Sequence, residues 1–185
     1  MTRAEATKSI RVHFIHGLES SPQGEKSRFL AKHFDACIPA MDTRDFDAAF
    51  QTQVEALRDA ERKGRSPHVL VGSSFGGALA LRILSTGVWR GPTLLLAPAA
   101  RKLGVFDPLP EGIPITIVHG LQDELIPIED SRVLAKTGTP GLVRLEEVND
   151  GHRLQGLVAS GRLAELVLEL YKRAYPPQAP YDVGA

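Results

Sequence analysis

Apolar residues recur along the 185-residue chain in two rhythms. Short runs of apolar, often β-branched residues occupy 10–16, 36–40, 68–72, 93–97, 113–119 and 142–148, each about the length of a strand. Between them the apolar positions take helical spacing. Phe46, Phe50, Val54 and Leu57 lie at i, i+4, i+8 and i+11, one face of a helix with Asp45 or Thr43 as its candidate cap. Helices are also predicted over 24–34, 76–85 and 129–136, and Leu163, Leu166, Val167 and Leu170 mark a long C-terminal one.

Strands alternating with helices imply βαβ units, because parallel neighbours can be joined only by a crossover. Several of the runs are apolar at every position, as burial on both faces of a sheet requires. The expected fold class is α/β: a minimal sheet of about six mostly parallel strands with helices on both faces. No repeat or low-complexity linker interrupts the pattern, so 9–175 reads as a single domain, with flexible termini at 1–8 and 176–185. Ligands of such sheets sit beyond the carboxyl ends of the strands, which says where chemistry is to be sought.

Composition acts mainly by exclusion. Lys plus Arg and Asp plus Glu each total 22, a formal net charge of zero. Neither nucleic acid nor an anionic membrane is therefore an expected partner. No apolar run reaches the ~20 residues of a spanning helix, and the opening MTRAEATKSI lacks the apolar core of a secretory signal. The one cysteine, Cys37, allows no intrachain disulfide and fits a reducing, cytoplasmic setting. It stands in Asp35-Ala36-Cys37-Ile38-Pro39 and reads as a buried strand end, packed as a small hydrophobe. Oligomeric state is not encoded in these features.

Four loops carry candidate chemistry, each just after an apolar run. Gly72-Ser73-Ser74-Phe75-Gly76 joins a strand to a helix. A serine on so sharp a turn needs neighbours without bulk two residues before and after it, and its hydroxyl then projects at the top of the sheet. Ser74 has glycines at both offsets; Ser73 has Val71 and Phe75 there and fails as a rival. The motif lacks the Gly-Lys-Ser/Thr ending of a phosphate-binding loop. His16-Gly17-Leu18 follows the first strand. Acyl transfer needs two backbone N–H donors for its oxyanion, and Leu18 and Phe75 are the candidates. In His119-Gly120-Leu121-Gln122-Asp123-Glu124, Asp123 is preferred over Glu124 as the carboxylate that orients an imidazole. His152, in Asn149-Asp150-Gly151-His152, is the candidate base and acid. Of the other histidines, His13 and His68 belong to strands, His33 ends a helix, and His16 and His119 support their loops. No paired His or Cys spacing suggests a metal site.

With these motifs in hand, the chain resembles the α/β-hydrolase superfamily, and within it the small bacterial serine esterases that lack a lid domain. The likeness rests on His16-Gly17-Leu18-Glu19-Ser20-Ser21-Pro22, on Gly72 to Gly77, on Asp123 with Pro127, and on Asp150-Gly151-His152. The order Ser…Asp…His is that of the superfamily. The resemblance implies a minimal α/β-hydrolase fold, an acyl-enzyme on Ser74 and no cofactor. The expected activity is hydrolysis of a carboxylic ester or related acyl bond in a small-molecule substrate. A thioesterase or peptidase on the same triad, and a non-catalytic binding protein on the same fold, are the alternatives. The segment 98–112 is too short for a cap domain, so the site is expected to be open. Ala99, Leu103, Phe106 and Leu109 are candidates for the border of an acyl pocket.

Overall fold

The computed structural model describes residues 7–176. Strands β1 (Arg11–Ile15), β2 (Asp35–Cys37), β3 (Val69–Ser73), β4 (Thr93–Leu96), β5 (Ile115–Gly120) and β6 (Val143–Val148) form one sheet in the order β2-β1-β3-β4-β5-β6. Every neighbouring pair is parallel. Helices α1 (Glu25–His33), α2 (Phe46–Arg62), α3 (Phe75–Ser85), α4 (Ile128–Ala135), α5 (Gln155–Ala159) and α6 (Arg162–Ala174) cover it.

Two apolar clusters show why the strands are apolar throughout. Ile15, Leu70, Leu95, Ile115 and Ile117 face one layer, with Ala49, Val54 and Leu57 of α2, Leu79 and Ile83 of α3, and Leu134 of α4. Val12, Phe14, Val69, Val71, Leu94, Leu96 and Val118 face the other, with Leu30 of α1, Leu157 of α5, and Leu163, Leu166, Val167 and Leu170 of α6. Alternate residues of one strand thus feed opposite cores. Each fully buried aliphatic side chain stabilises the fold by roughly 1.5–3 kcal/mol before conformational entropy is set against it.

The chain runs from β1 to β2 on one side, then crosses back to β3 on the other. The carboxyl ends of β1 and β3 therefore flank the point where strand order reverses, the crevice where open sheets bind ligands. Between β4 and β5 the chain makes only turns and irregular structure, so the fold is a minimal α/β sheet without a cap domain among the described residues. No described helix is long and apolar enough to cross a membrane.

Of the two candidate caps of α2, Asp45 is the one used, its carboxylate accepting from Ala48 N–H at 3.0 Å. Several expectations need correction. The second strand spans Asp35–Cys37 instead of 36–40, and Cys37 is exposed, not buried. Strand β2 is the sheet's edge and bonds only to β1, so one side of it has no neighbour. Partial burial, with the Asp35 and Asp59 carboxylates, pushes the Cys37 thiol up, away from nucleophilic character. The C-terminal segment is two helices, with Leu154 (φ 48°) and Gly161 (φ 80°) in left-handed conformations at their starts. Of the termini expected to be flexible, 1–6 and 177–185 lie outside the described residues. Lys8 is held by its ammonium to the Ala31 carbonyl at 2.8 Å.

Candidate active site

The turn after β3 places Ser74 at φ 54° and ψ −112°, a left-handed conformation costly for a residue with a Cβ. The surroundings over-determine it. Ser74 N–H donates to Leu96 O at 2.8 Å, while Ser74 O accepts from Ala78 N at 3.1 Å and Ala99 N at 3.1 Å. The two glycines are required by space: a Cβ on Gly72 would stand 2.5 Å from Gly76 O, and one on Gly76 would overlap the Ile15 carbonyl oxygen. Helix α3 starts at Phe75, one residue earlier than periodicity suggests. Its first N–H groups have no partner within the helix and carry its positive end toward Ser74.

Gly17 packs directly against this turn; a Cβ there would lie 3.3 Å from Ser73 O and 3.4 Å from Ser74 Cβ. The loop around it is held from several sides. Gly17 O accepts from His16 Nδ1 at 3.0 Å and from Ser20 N at 3.1 Å, and Leu18 O accepts from Thr43 Oγ1 at 3.3 Å. Among the described residues, neither Leu18 N–H nor Phe75 N–H has a hydrogen-bond acceptor. The two expected oxyanion donors, on the loop after β1 and at the first residue of α3, therefore have their protons free.

Asp123 and His152 come from the loops after β5 and β6. The Asp123 side chain is fully buried. Its Oδ1 accepts from Leu125 N at 2.9 Å and Ile126 N at 2.9 Å, and its Oδ2 lies 2.7 Å from His152 Nδ1. Burial alone would raise the carboxyl; the Ile126 N–H, the His152 imidazole and the Leu125 N–H outweigh it and hold Asp123 below its ordinary value. A carboxylate only accepts, so His152 Nδ1 carries the ring proton. That leaves the Nε2 lone pair facing the Ser74 hydroxyl, 2.8 Å away. Glu124, the rival carboxylate, is exposed and has no part in this chain of bonds.

Gly120 lets the acid and base loops touch, since any Cβ there would overlap the Asp150 carbonyl oxygen. Asp150 fixes the base loop, its Oδ1 accepting from Gly151 N at 2.8 Å and its Oδ2 from Gly156 N at 2.7 Å. Lys26 of α1 donates to the Arg153 carbonyl, next to His152. Burial lowers its pKa, though the Glu25 and Asp150 carboxylates oppose that shift. Sequence reasoning missed Lys26: a lysine on a surface helix reads as solvated, and its partner lies 127 positions away. Asp150 carried a fainter signal, as an acidic residue beside a glycine before a helix.

The expected pocket border is only partly found. Leu109 and Ala99 are buried, and Phe106 packs on the core beneath the Arg101 guanidinium, 4.8 Å from its ring centroid. Leu103 is open to solvent, as are Leu18, Leu121 and Leu125. All four stand on loops beyond the carboxyl ends of β1, β4 and β5. Among the described residues no group of three or more His, Cys, Asp or Glu side chains is placed to hold a metal ion.

This fold, with a serine on a strand-to-helix turn bonded to a histidine and an aspartate from later loops, defines a class of protein. The chain belongs to the α/β hydrolase family, whose model matches residues 16–182. It is similar to the crystal structure of an α/β superfamily protein from Xanthomonas campestris pv. campestris, at 31% identity over 86% of this chain and 99% of that one, with a TM-score of 0.66. The fold is shared with an esterase domain from a Rhodothermus marinus protein, at 14% identity over 91% of this chain and 88% of that one (TM-score 0.69). It is also shared with an α/β serine hydrolase homologue from Coxiella burnetii, at 18% identity over 88% of this chain and 85% of that one (TM-score 0.69). No curated protein matches the chain in sequence.

Proposed function

We propose that the protein is a serine hydrolase cleaving a carboxylic ester or related acyl bond of a small or medium substrate through an acyl-enzyme on Ser74. The observation that carries this reading is the unbroken chain of Ser74 Oγ, His152 and Asp123 at 2.8 and 2.7 Å. His152 Nε2 takes the hydroxyl proton as Ser74 Oγ attacks the acyl carbon. Asp123 holds the ring and stabilises the imidazolium so formed. The carbonyl oxygen becomes an oxyanion facing the N–H groups of Leu18 and Phe75, each worth ~3–4 kcal/mol in such a role. Collapse expels the alcohol, which takes its proton from His152. Water, deprotonated by His152, then attacks the acyl-enzyme and releases the acid, returning the proton to Ser74.

What supports an acyl group with some hydrocarbon is Leu18, 55% exposed on the loop whose Gly17 packs against the Ser74 turn. The test is hydrolysis of p-nitrophenyl esters, from acetate to octanoate, by the wild-type and Ser74→Ala proteins. Loss of turnover in a folded Ser74→Ala protein is expected. Equal rates would refute the assignment.

A further inference from the structure

His119 is a fully buried histidine that the proposed reaction does not use. It lies at the carboxyl end of β5, four residues before Asp123. Its Nδ1 is 2.7 Å from Ser131 Oγ of α4. Its Nε2 is 3.0 Å from the Ile126 carbonyl oxygen and 3.2 Å from Asp123 Oδ2, the oxygen that also meets His152. Partner chemistry fixes the tautomer. A carbonyl and a carboxylate can only accept, so Nε2 carries a proton. The Ser131 hydroxyl can donate, so Nδ1 offers its lone pair. The neutral ring is then satisfied at both nitrogens, as a buried polar group must be.

The Nε2 proton does two things. It closes a loop around the acid, because Ile126 N–H donates to Asp123 Oδ1 while Ile126 O accepts from His119. It also sets positive partial charge 3.2 Å from Asp123 Oδ2. We propose that His119, held as the Nε2–H tautomer by Ser131, is a positioning residue for Asp123: it fixes the Ile126 peptide that aims the carboxylate and lies against the oxygen that meets His152. This rests on the roles given above to Asp123 and His152.

Two amide substitutions separate the positioning role from a merely structural one. An asparagine amide reaches about as far as Nδ1, so His119→Asn keeps a partner for Ser131 and loses the donor to the Ile126 carbonyl and its partial charge beside Asp123. A glutamine amide reaches about as far as Nε2, so His119→Gln keeps the donor. Nitrogen NMR of protein labelled at histidine reads the tautomers without turnover. In the wild type, His119 should show a protonated Nε2 and a bare Nδ1, and the His152 ring signals should move in His119→Asn and return in His119→Gln. With an ester substrate, kcat should fall about tenfold in His119→Asn, the scale of one lost hydrogen bond, with KM held and most of the rate restored by glutamine. A wild-type His119 protonated on Nδ1 overturns the proposal, and so do His152 signals indifferent to His119→Asn. If Ser74→Ala turns over esters as fast as wild type, the functional reading fails while the NMR result still judges His119.

Discussion

Residue His13 offers a test of the fold in which the structure sets the magnitude. It lies in β1, is 1% exposed, and its Nε2 is 2.7 Å from Gln53 Oε1 on α2. Burial pushes its pKa down from 6.5 to about 4, against the raising effect of the Gln53 hydrogen bond. As pH falls through 6.5 the unfolded imidazole takes a proton that the folded one refuses until about 4. Between these values the unfolded state binds more protons, so the stability is present above 6.5 and is lost as pH drops. The linkage relation gives a loss of about 2 kcal/mol between pH 7 and 5 and roughly 3 kcal/mol in full. His13→Gln keeps a neutral donor for Gln53 and cannot titrate. Urea unfolding of both proteins at pH 7 and pH 5 isolates His13, because other titrating groups cancel in the difference. With a slope of about 2 kcal/mol per molar, the wild-type midpoint should fall about 1 M further than that of the variant. Parallel falls would show that His13 is not buried as a neutral ring.

The remaining predictions concern the site. Asp123→Asn keeps the shape of the carboxylate but loses its charge and its hold on the His152 tautomer; kcat should fall about three to four orders of magnitude with little change in melting, and a fall under tenfold would remove Asp123 from its role. Gly76→Ala forces a methyl into the Ile15 and His16 carbonyls and should cost about 3 kcal/mol or more in urea unfolding; a near-neutral result would contradict the elbow geometry. Leu18→Ser leaves the backbone N–H in place and removes exposed apolar surface, so the octanoate-to-acetate ratio of kcat/KM should drop several-fold, on the scale of ~1 kcal/mol of lost burial; an unchanged ratio would place the acyl chain elsewhere.

Much of the fold and the core of the candidate site were legible in the chain itself. The requirement for glycines around Ser74 is local sterics, written at fixed offsets. Strand and helix periods are local too, and runs apolar on both faces already demand a covered parallel sheet. The order of Ser74, Asp123 and His152 along the chain completed the reading. Other features depend on which strands become neighbours, and no local period encodes that. Cys37 is exposed because β2 lies at the edge of the sheet, although its apolar flanks suggest an interior strand. Leu109 joins the core and Leu103 does not, though both stand on the same connection. The ties of Lys26 to Arg153 and of His119 to Asp123 and Ser131 likewise arise only once the loops meet at one rim. The sequence by itself determined the elements and the reactive residue types, because steric and burial rules act between near neighbours. The tertiary structure alone decided edge against interior and which polar groups share a hydrogen bond, because those are settled by distances between parts of the chain far apart in number.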